Sequence, residues 1–152
     1  MPTICGIDPG FKTGGVALYN KDLDWYEVHD LPVYDQGGVD VLALADILNS
    51  DHVTHIYIEK QSSRPKQGVS SAFKIGYAYG QLLSMAMLWE STPYTIVTPA
   101  KWKTDLRLGR EKDEARQRAQ QWFPKVNKDL IRKKDEHRAE ALLLAKWGSM
   151  QS

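Results

Sequence analysis

A short apolar run ending on an acid and a turn, Ile4-Cys5-Gly6-Ile7-Asp8-Pro9-Gly10, limits the folds open to this chain more than any other stretch. A second apolar run, Gly14-Gly15-Val16-Ala17-Leu18-Tyr19, follows closely. Pro-Gly stops a strand and favours a tight turn, so the pattern predicts a strand, a turn and an antiparallel second strand. Side chains alternate along a strand, which puts Ile4, Gly6 and Asp8 on one face with Asp8 at its end. A carboxylate there can reach solvent while its backbone stays in the ladder. Gly6 and Gly10 are expected to leave room beside it for a phosphate or a metal. Taken alone, Asp-Pro-Gly is a turn cap. Chemistry requires other acids arriving at the same place.

The rest of the chain supplies them. Leu23 to Val28 reads as a third strand after the polar turn Asn20-Lys21-Asp22, and Leu31 to Gly38 as a loop. Val39 to Leu48 is a helix, with Val41, Leu44, Ala45 and Leu48 at helical spacing, ended by Asn49-Ser50-Asp51. His55 to Glu59 is a strand that a helix connects back to the first, so the two run parallel. Parallel neighbours bring Asp8 and Glu59 to one edge of the sheet, where open α/β sheets bind ligands. Gln61 to Gly68 is a polar loop holding Arg64, Pro65 and Lys66.

Val69 to Trp89 is a long helix with Ser70 as the expected cap. Its apolar residues run almost all round, which predicts burial on more than one face. Gly76 and Gly80, one turn apart, permit close backbone approach. Tyr94 to Val97 is the last strand, and Thr98-Pro99 opens a helix through Lys103. Glu111 to Phe123 is an amphipathic helix broken by Pro124. Residues 125–134 are polar and basic. Asp135 to Trp147 is the final helix, with Ala139, Leu142, Leu143, Ala145, Lys146 and Trp147 toward the core. The expectation is one α/β domain over residues 1–152, with a mixed five-stranded sheet flanked by helices.

Composition excludes several classes. Cys5 is the sole cysteine, so there is neither a disulfide framework nor a cysteine zinc site. No apolar run is long enough to span a bilayer, and the start does not read as a signal peptide, so a cytoplasmic location is expected. Net charge is only +1, but its distribution is uneven. Lys101 to Arg138 holds 13 of the 20 Lys and Arg and 7 of the 19 Asp and Glu, a net of +6 against −5 elsewhere. A basic segment on an acidic body fits a polyanion bound on one side, or a pair of solvated amphipathic helices.

On the final helix His137 and Glu140 are three apart and share a face, and Glu136 is four before Glu140. Two ligands offered toward the strand ends of Asp8 and Glu59 make a compact acidic site. Such a site suits hard divalent cations, Mg²⁺ in particular. Two such ions can activate a water and stabilise a leaving oxygen in phosphodiester cleavage.

The element order, with acids on the first and fourth strands and the last helix, resembles the ribonuclease H-like nucleases. Within them it resembles the RuvC-type Holliday junction resolvases. The residues carrying the likeness are Ile7-Asp8-Pro9-Gly10, Ile58-Glu59, Ser71-Ala72-Phe73-Lys74-Ile75-Gly76, Gly80, Thr98-Pro99-Ala100-Lys101-Trp102-Lys103, Glu111-Lys112 and Ala139-Glu140-Ala141-Leu142 with Ala145. The resemblance implies Mg²⁺-dependent nicking of a four-way DNA junction by a homodimer, with the long helix after Glu59 in the dimer interface. It implies metal ligands at Asp8, Glu59, His137 and Glu140, and basic groups near the scissile phosphate at Lys103 and Lys112. Arg64, Lys66, Lys74 and Lys101 join these two lysines as expected DNA contacts. A compact, stand-alone member suits a bacterial genome or a bacteriophage.

Two regions depart from the family pattern. The last helix carries His137 and Glu140 where two aspartates three apart are usual; imidazole favours Mn²⁺ more than an all-oxygen site would, and the extra methylene of Glu140 is one the ion position can absorb. Were His137 not a ligand, Asp135 or Glu136 would be the candidate. The loop after Glu59 has no aromatic where the family inserts a wedge into the junction. Arg64 and Lys66 would instead contact phosphates, which position without reading sequence. Two rival readings are a non-cleaving branched-DNA-binding protein of the same fold and a phosphotransferase of the sugar-kinase and actin type.

Overall fold

A computed structural model describes residues 2–50, 52–111 and 113–151. Asp51, placed by the sequence at the end of the first helix, and Lys112, a candidate DNA contact, lie outside the described residues. Five strands form one mixed sheet in the order β3-β2-β1-β4-β5. They are β1 (Thr3–Asp8), β2 (Gly15–Asn20), β3 (Trp25–Asp30), β4 (Val53–Glu59) and β5 (Tyr94–Val97). β1 pairs antiparallel with β2 and β2 with β3, while β1–β4 and β4–β5 are parallel. The helices are α1 (Val41–Asn49), α2 (Val69–Leu88), α3 (Pro99–Asp105), α4 (Glu114–Trp122) and α5 (Glu136–Ser149). This is the expected mixed five-stranded sheet flanked by helices.

Strand alternation sorts the core into two layers. Cys5, Ile7, Val16, Leu18, Ile56 and Ile58 face α1 and α2, meeting Leu44, Leu48, Ala78, Leu82 and Met85. Ile4, Ala17, Tyr19 and Tyr57 face the other way, toward Ala141, Leu142, Ala145 and Trp147 of α5. Gly6 belongs to this second face. A Cβ there would run into the Ala141 carbonyl and lie 2.7 Å from the Ala145 nitrogen. α5 therefore lies directly on β1, which brings its first turn over the strand end. The expectation that Gly6 and Gly10 leave room for a ligand is corrected here. The helix fills the space at Gly6, and the Thr13 carbonyl fills that at Gly10.

Other local expectations shift for physical reasons. β3 begins at Trp25 rather than Leu23, because β2 extends to Asn20 and pairs it with Trp25. Leu23 then sits in the turn, its N–H donating to Asn20 Oδ1 at 3.1 Å. α2 is capped by extended Gly68 without a side-chain hydrogen bond, so Ser70 lies in the first turn and is not the cap. α4 starts at Glu114, after Asp113 in the left-handed region at φ 76°. Residues 124–129 and 133–135 form 3-10 turns, which bury Val126 and place Asp135 just before α5 rather than inside it.

α2 packs only one face on the sheet. Ala78, Leu82, Met85 and Ala86 are buried, whereas Val69, Phe73, Tyr77, Met87 and Leu88 are exposed, Val69 at 88% and Phe73 at 70%. The expected burial on several faces is not met within this chain.

Candidate active site

Parallel pairing of β1 and β4 in the register Ile7↔Ile58 sets Asp8 beside Glu59 at the C-terminal edge of the sheet. Both side chains are buried, each residue being 6% exposed. Glu140 arrives from α5. One oxygen from each of Asp8, Glu59 and Glu140 lies within 4.8 Å of the others. A carboxylate trio this close and this dry repels itself unless cations or protons balance it.

The protein supplies part of that balance. Lys103 of α3 reaches Glu140 Oε1 at 2.9 Å. Burial works against the lysine's charge, but Glu140, Glu59 and Asp8 together push its pKa up. Trp102, fully buried, donates its Nε1–H to Glu59 Oε2 at 2.8 Å. Even so, burial and the charges of Asp8 and Glu140 raise Glu59 to about 8. Burial, only partly opposed by the His137 hydrogen bond, raises Asp8 to about 6. Carboxyls whose ionisation is made harder by burial and by one another are expected where a bound cation completes the charge. The donor set, all oxygen with no thiol, fits a hard divalent ion.

His137 stands beside this trio. Its Nδ1 lies 2.8 Å from Asp8 Oδ2, and its Nε2 lies 3.3 Å from the Thr13 hydroxyl. The Asp8 hydrogen bond raises the imidazole pKa. A nitrogen facing a carboxylate carries the proton, so Thr13 donates to Nε2 while the ring is neutral. Of the two alternatives to His137, Asp135 is a structural anchor. It is buried and accepts from Arg132 N–H at 2.9 Å and Arg132 Nη2 at 2.9 Å. Glu136 lines, with Glu140, Lys103 and Arg110, a cavity of about 420 Å³.

The basic candidates scatter more widely. Lys103 is at the acids. Lys101, on the same helix, pairs with Asp105 at 3.2 Å. Lys74 is exposed on α2, its Nζ 5.7 Å from the centre of the Phe11 ring in the β1–β2 turn. Arg64 and Lys66 are exposed in the loop after β4, with Lys66 at φ 68°. Sequence reasoning missed the roles of Trp102 and Thr13. Trp102 was open to detection, because a core tryptophan needs a partner for its N–H.

No protein-family model matches the sequence, and no curated protein does. Solved structures do match. The chain is similar to Thermus thermophilus RuvC, solved in complex with Holliday junction substrate. Identity is 20% and the TM-score 0.70, over 98% of this chain and 93% of that one. It is also similar to the fowlpox virus Holliday junction resolvase, at 15% identity and TM-score 0.55 over 98% and 99% of the two chains. The yeast mitochondrial Holliday junction resolvase matches at 12% identity and TM-score 0.59, over 96% of this chain and 78% of its own. The fold is therefore the ribonuclease H-like fold of RuvC-type resolvases.

Proposed function

We propose that this protein is a metal-dependent endodeoxyribonuclease that nicks four-way or other branched DNA. The observation that carries the reading is the convergence of Asp8, Glu59 and Glu140 at one sheet edge with Lys103 against them. The likeness to three Holliday junction resolvases across nearly the whole chain supports the same substrate class.

In this reading Asp8, Glu59 and Glu140 hold Mg²⁺ or Mn²⁺, with His137 as fourth ligand. Divalent ions at such a site supply an activated water and stabilise charge on the leaving oxygen of the phosphodiester. His137 joins only when Nδ1 has lost its proton, and the Thr13 hydroxyl then accepts from Nε2–H. Lys103 neutralises Glu140 and, with it, part of the repulsion that three carboxylates exert on an incoming phosphate. Arg64, Lys66, Lys74, Lys101 and Lys112 contact the DNA backbone.

A second copy of the chain completes the assembly. The exposed stripe Val69, Phe73, Tyr77 and Met87 is apolar, and nothing lies within 4 Å of a Cβ built at Gly76 or Gly80. Two-fold pairing there would give one acidic site per strand to be cut. The expected place of action is the cytoplasm, of a bacterial cell or of a phage host. No helix among the described residues is long and apolar enough to cross a membrane.

The non-cleaving alternative draws on one observation, the engagement of His137 Nδ1 by Asp8. Incubation of four-way, three-way, flap and linear DNA with Mg²⁺ or Mn²⁺ separates the two. The nuclease reading expects paired nicks in the branched substrates. Tight binding without nicks in either metal would leave the binding protein.

A further inference from the structure

α3 is a short helix pinned at both ends. Thr98 accepts from the Lys101 N–H at 3.2 Å, and Asp105 accepts from the Trp147 indole at 2.9 Å. From this fixed base its successive residues Trp102 and Lys103 reach different carboxylates, Glu59 and Glu140. Successive helical side chains point about 100° apart, so one turn can brace two acids arriving from a strand and from another helix.

The two oxygens of Glu59 are not equivalent. Oε2 takes the indole N–H at 2.8 Å, in a bond that is buried. Among the described residues Oε1 accepts only a long hydrogen bond, 3.5 Å, from the Gln61 amide. We propose that Trp102 is a positioning residue that commits one oxygen of Glu59 to the protein, presents the other as a single-oxygen ligand, and so favours small divalent ions over Ca²⁺. This rests on the metal-dependent reading given above.

The physical basis is ligand geometry. Mg²⁺ takes one oxygen from each carboxylate in a near-octahedral shell, whereas Ca²⁺ accepts bidentate carboxylates and a looser arrangement. A glutamate free to rotate serves either ion. A glutamate with one oxygen tethered in a dry environment is preset for the smaller one. Outer hydrogen-bond partners of ligating carboxylates commonly govern affinity, by about 10- to 100-fold.

Trp102→Phe keeps a ring in place and removes the donor. Calorimetric titration of the full chain without DNA should show Mg²⁺ and Mn²⁺ affinity falling about 10- to 100-fold. Ca²⁺ affinity should fall less, so the Mg²⁺-over-Ca²⁺ preference narrows. Trp147→Phe, which removes the indole donor to Asp105 instead, should leave that preference unchanged. In the unmodified protein the Trp102 indole N–H resonance should move on saturation with Mg²⁺. Unchanged selectivity in Trp102→Phe, or an indole resonance indifferent to Mg²⁺, overturns the inference. Should Trp102→Phe fail to fold, the resonance in the unmodified protein decides. If the unmodified protein binds no divalent ion, the metal-dependent reading falls and takes this inference with it. Normal binding with either of the two negative results sinks this inference alone.

Discussion

At the scale of single residues, the acids at the sheet edge impose a testable pH dependence. Asp8 and Glu59 are raised from the ordinary 3.8 and 4.5 to about 6 and about 8, mainly by burial. Between those ordinary values and the raised ones, the folded protein holds protons that the unfolded chain has released. Stability of the metal-free protein should therefore fall as pH rises from about 4 to about 8. His137 acts in the same direction. Its raised pKa contributes stability present below the ordinary histidine range and lost as pH rises through the raised value. Saturating Mg²⁺ should reverse the trend, because the ion replaces protons and binds more tightly as they leave. Thermal melts across that pH range, with and without Mg²⁺, check this. A metal-free melting temperature that climbs over the interval would contradict it. Asp8 and Glu59 were legible in the sequence because each closes an apolar run, and parallel pairing fixes where such residues meet. Trp102 was legible as a core tryptophan that needs a partner for its N–H, but which partner was not legible. Nothing in a one-dimensional pattern shows that an indole on α3 points at the end of β4.

At the scale of elements, the packing of α5 on β1 and the bare face of α2 make opposite demands on substitution. Gly6→Ala would drive a methyl into the Ala141 carbonyl, displacing the helix that carries Glu140. Overpacking of this kind costs about 1–3 kcal/mol. A shifted denaturation midpoint together with weakened cleavage is expected, and a neutral outcome would mean α5 is free to slide. On α2, Gly76→Arg meets open space and should fold normally, whereas Ala78 is 1% exposed and Ala78→Arg should not. Light scattering should show Gly76→Arg as a monomer beside a dimeric unmodified protein. A monomeric unmodified protein that still cuts both strands rules out the proposed assembly. The helices and strands were mostly legible, since apolar spacing reports the face turned to the core. The start of β3 and the cap of α2 were not. Those depend on how far β2 extends and on the extended backbone of Gly68, neither of which leaves a periodic trace.

At the scale of the whole molecule, a nuclease must hold a polyanion against its own carboxylates. In the proposed function the net of +6 between Lys101 and Arg138 would provide the general attraction, and Lys103, paired with Glu140, would bring it to the acids. Arg64 and Lys66 stand exposed in the loop that leaves β4, the strand that ends at Glu59. Replacing both with alanine should flatten the dependence of junction affinity on salt, since each phosphate left unneutralised lowers that slope by about 0.9. It should also narrow the preference for branched over linear duplex. An unchanged slope and preference would make the loop a connector only.

Cleavage in the proposed function depends on a metal held by three carboxylates. Asp8→Asn, Glu59→Gln and Glu140→Gln each remove a charge while keeping the shape. The decisive measurement is single-turnover cleavage of one four-way junction by these variants and the unmodified protein, at saturating Mg²⁺ and with binding recorded in parallel. Each variant should cut slower by orders of magnitude while binding the junction at least as tightly. Near-normal cleavage by any of them would remove that residue from the metal site and refute the three-carboxylate centre.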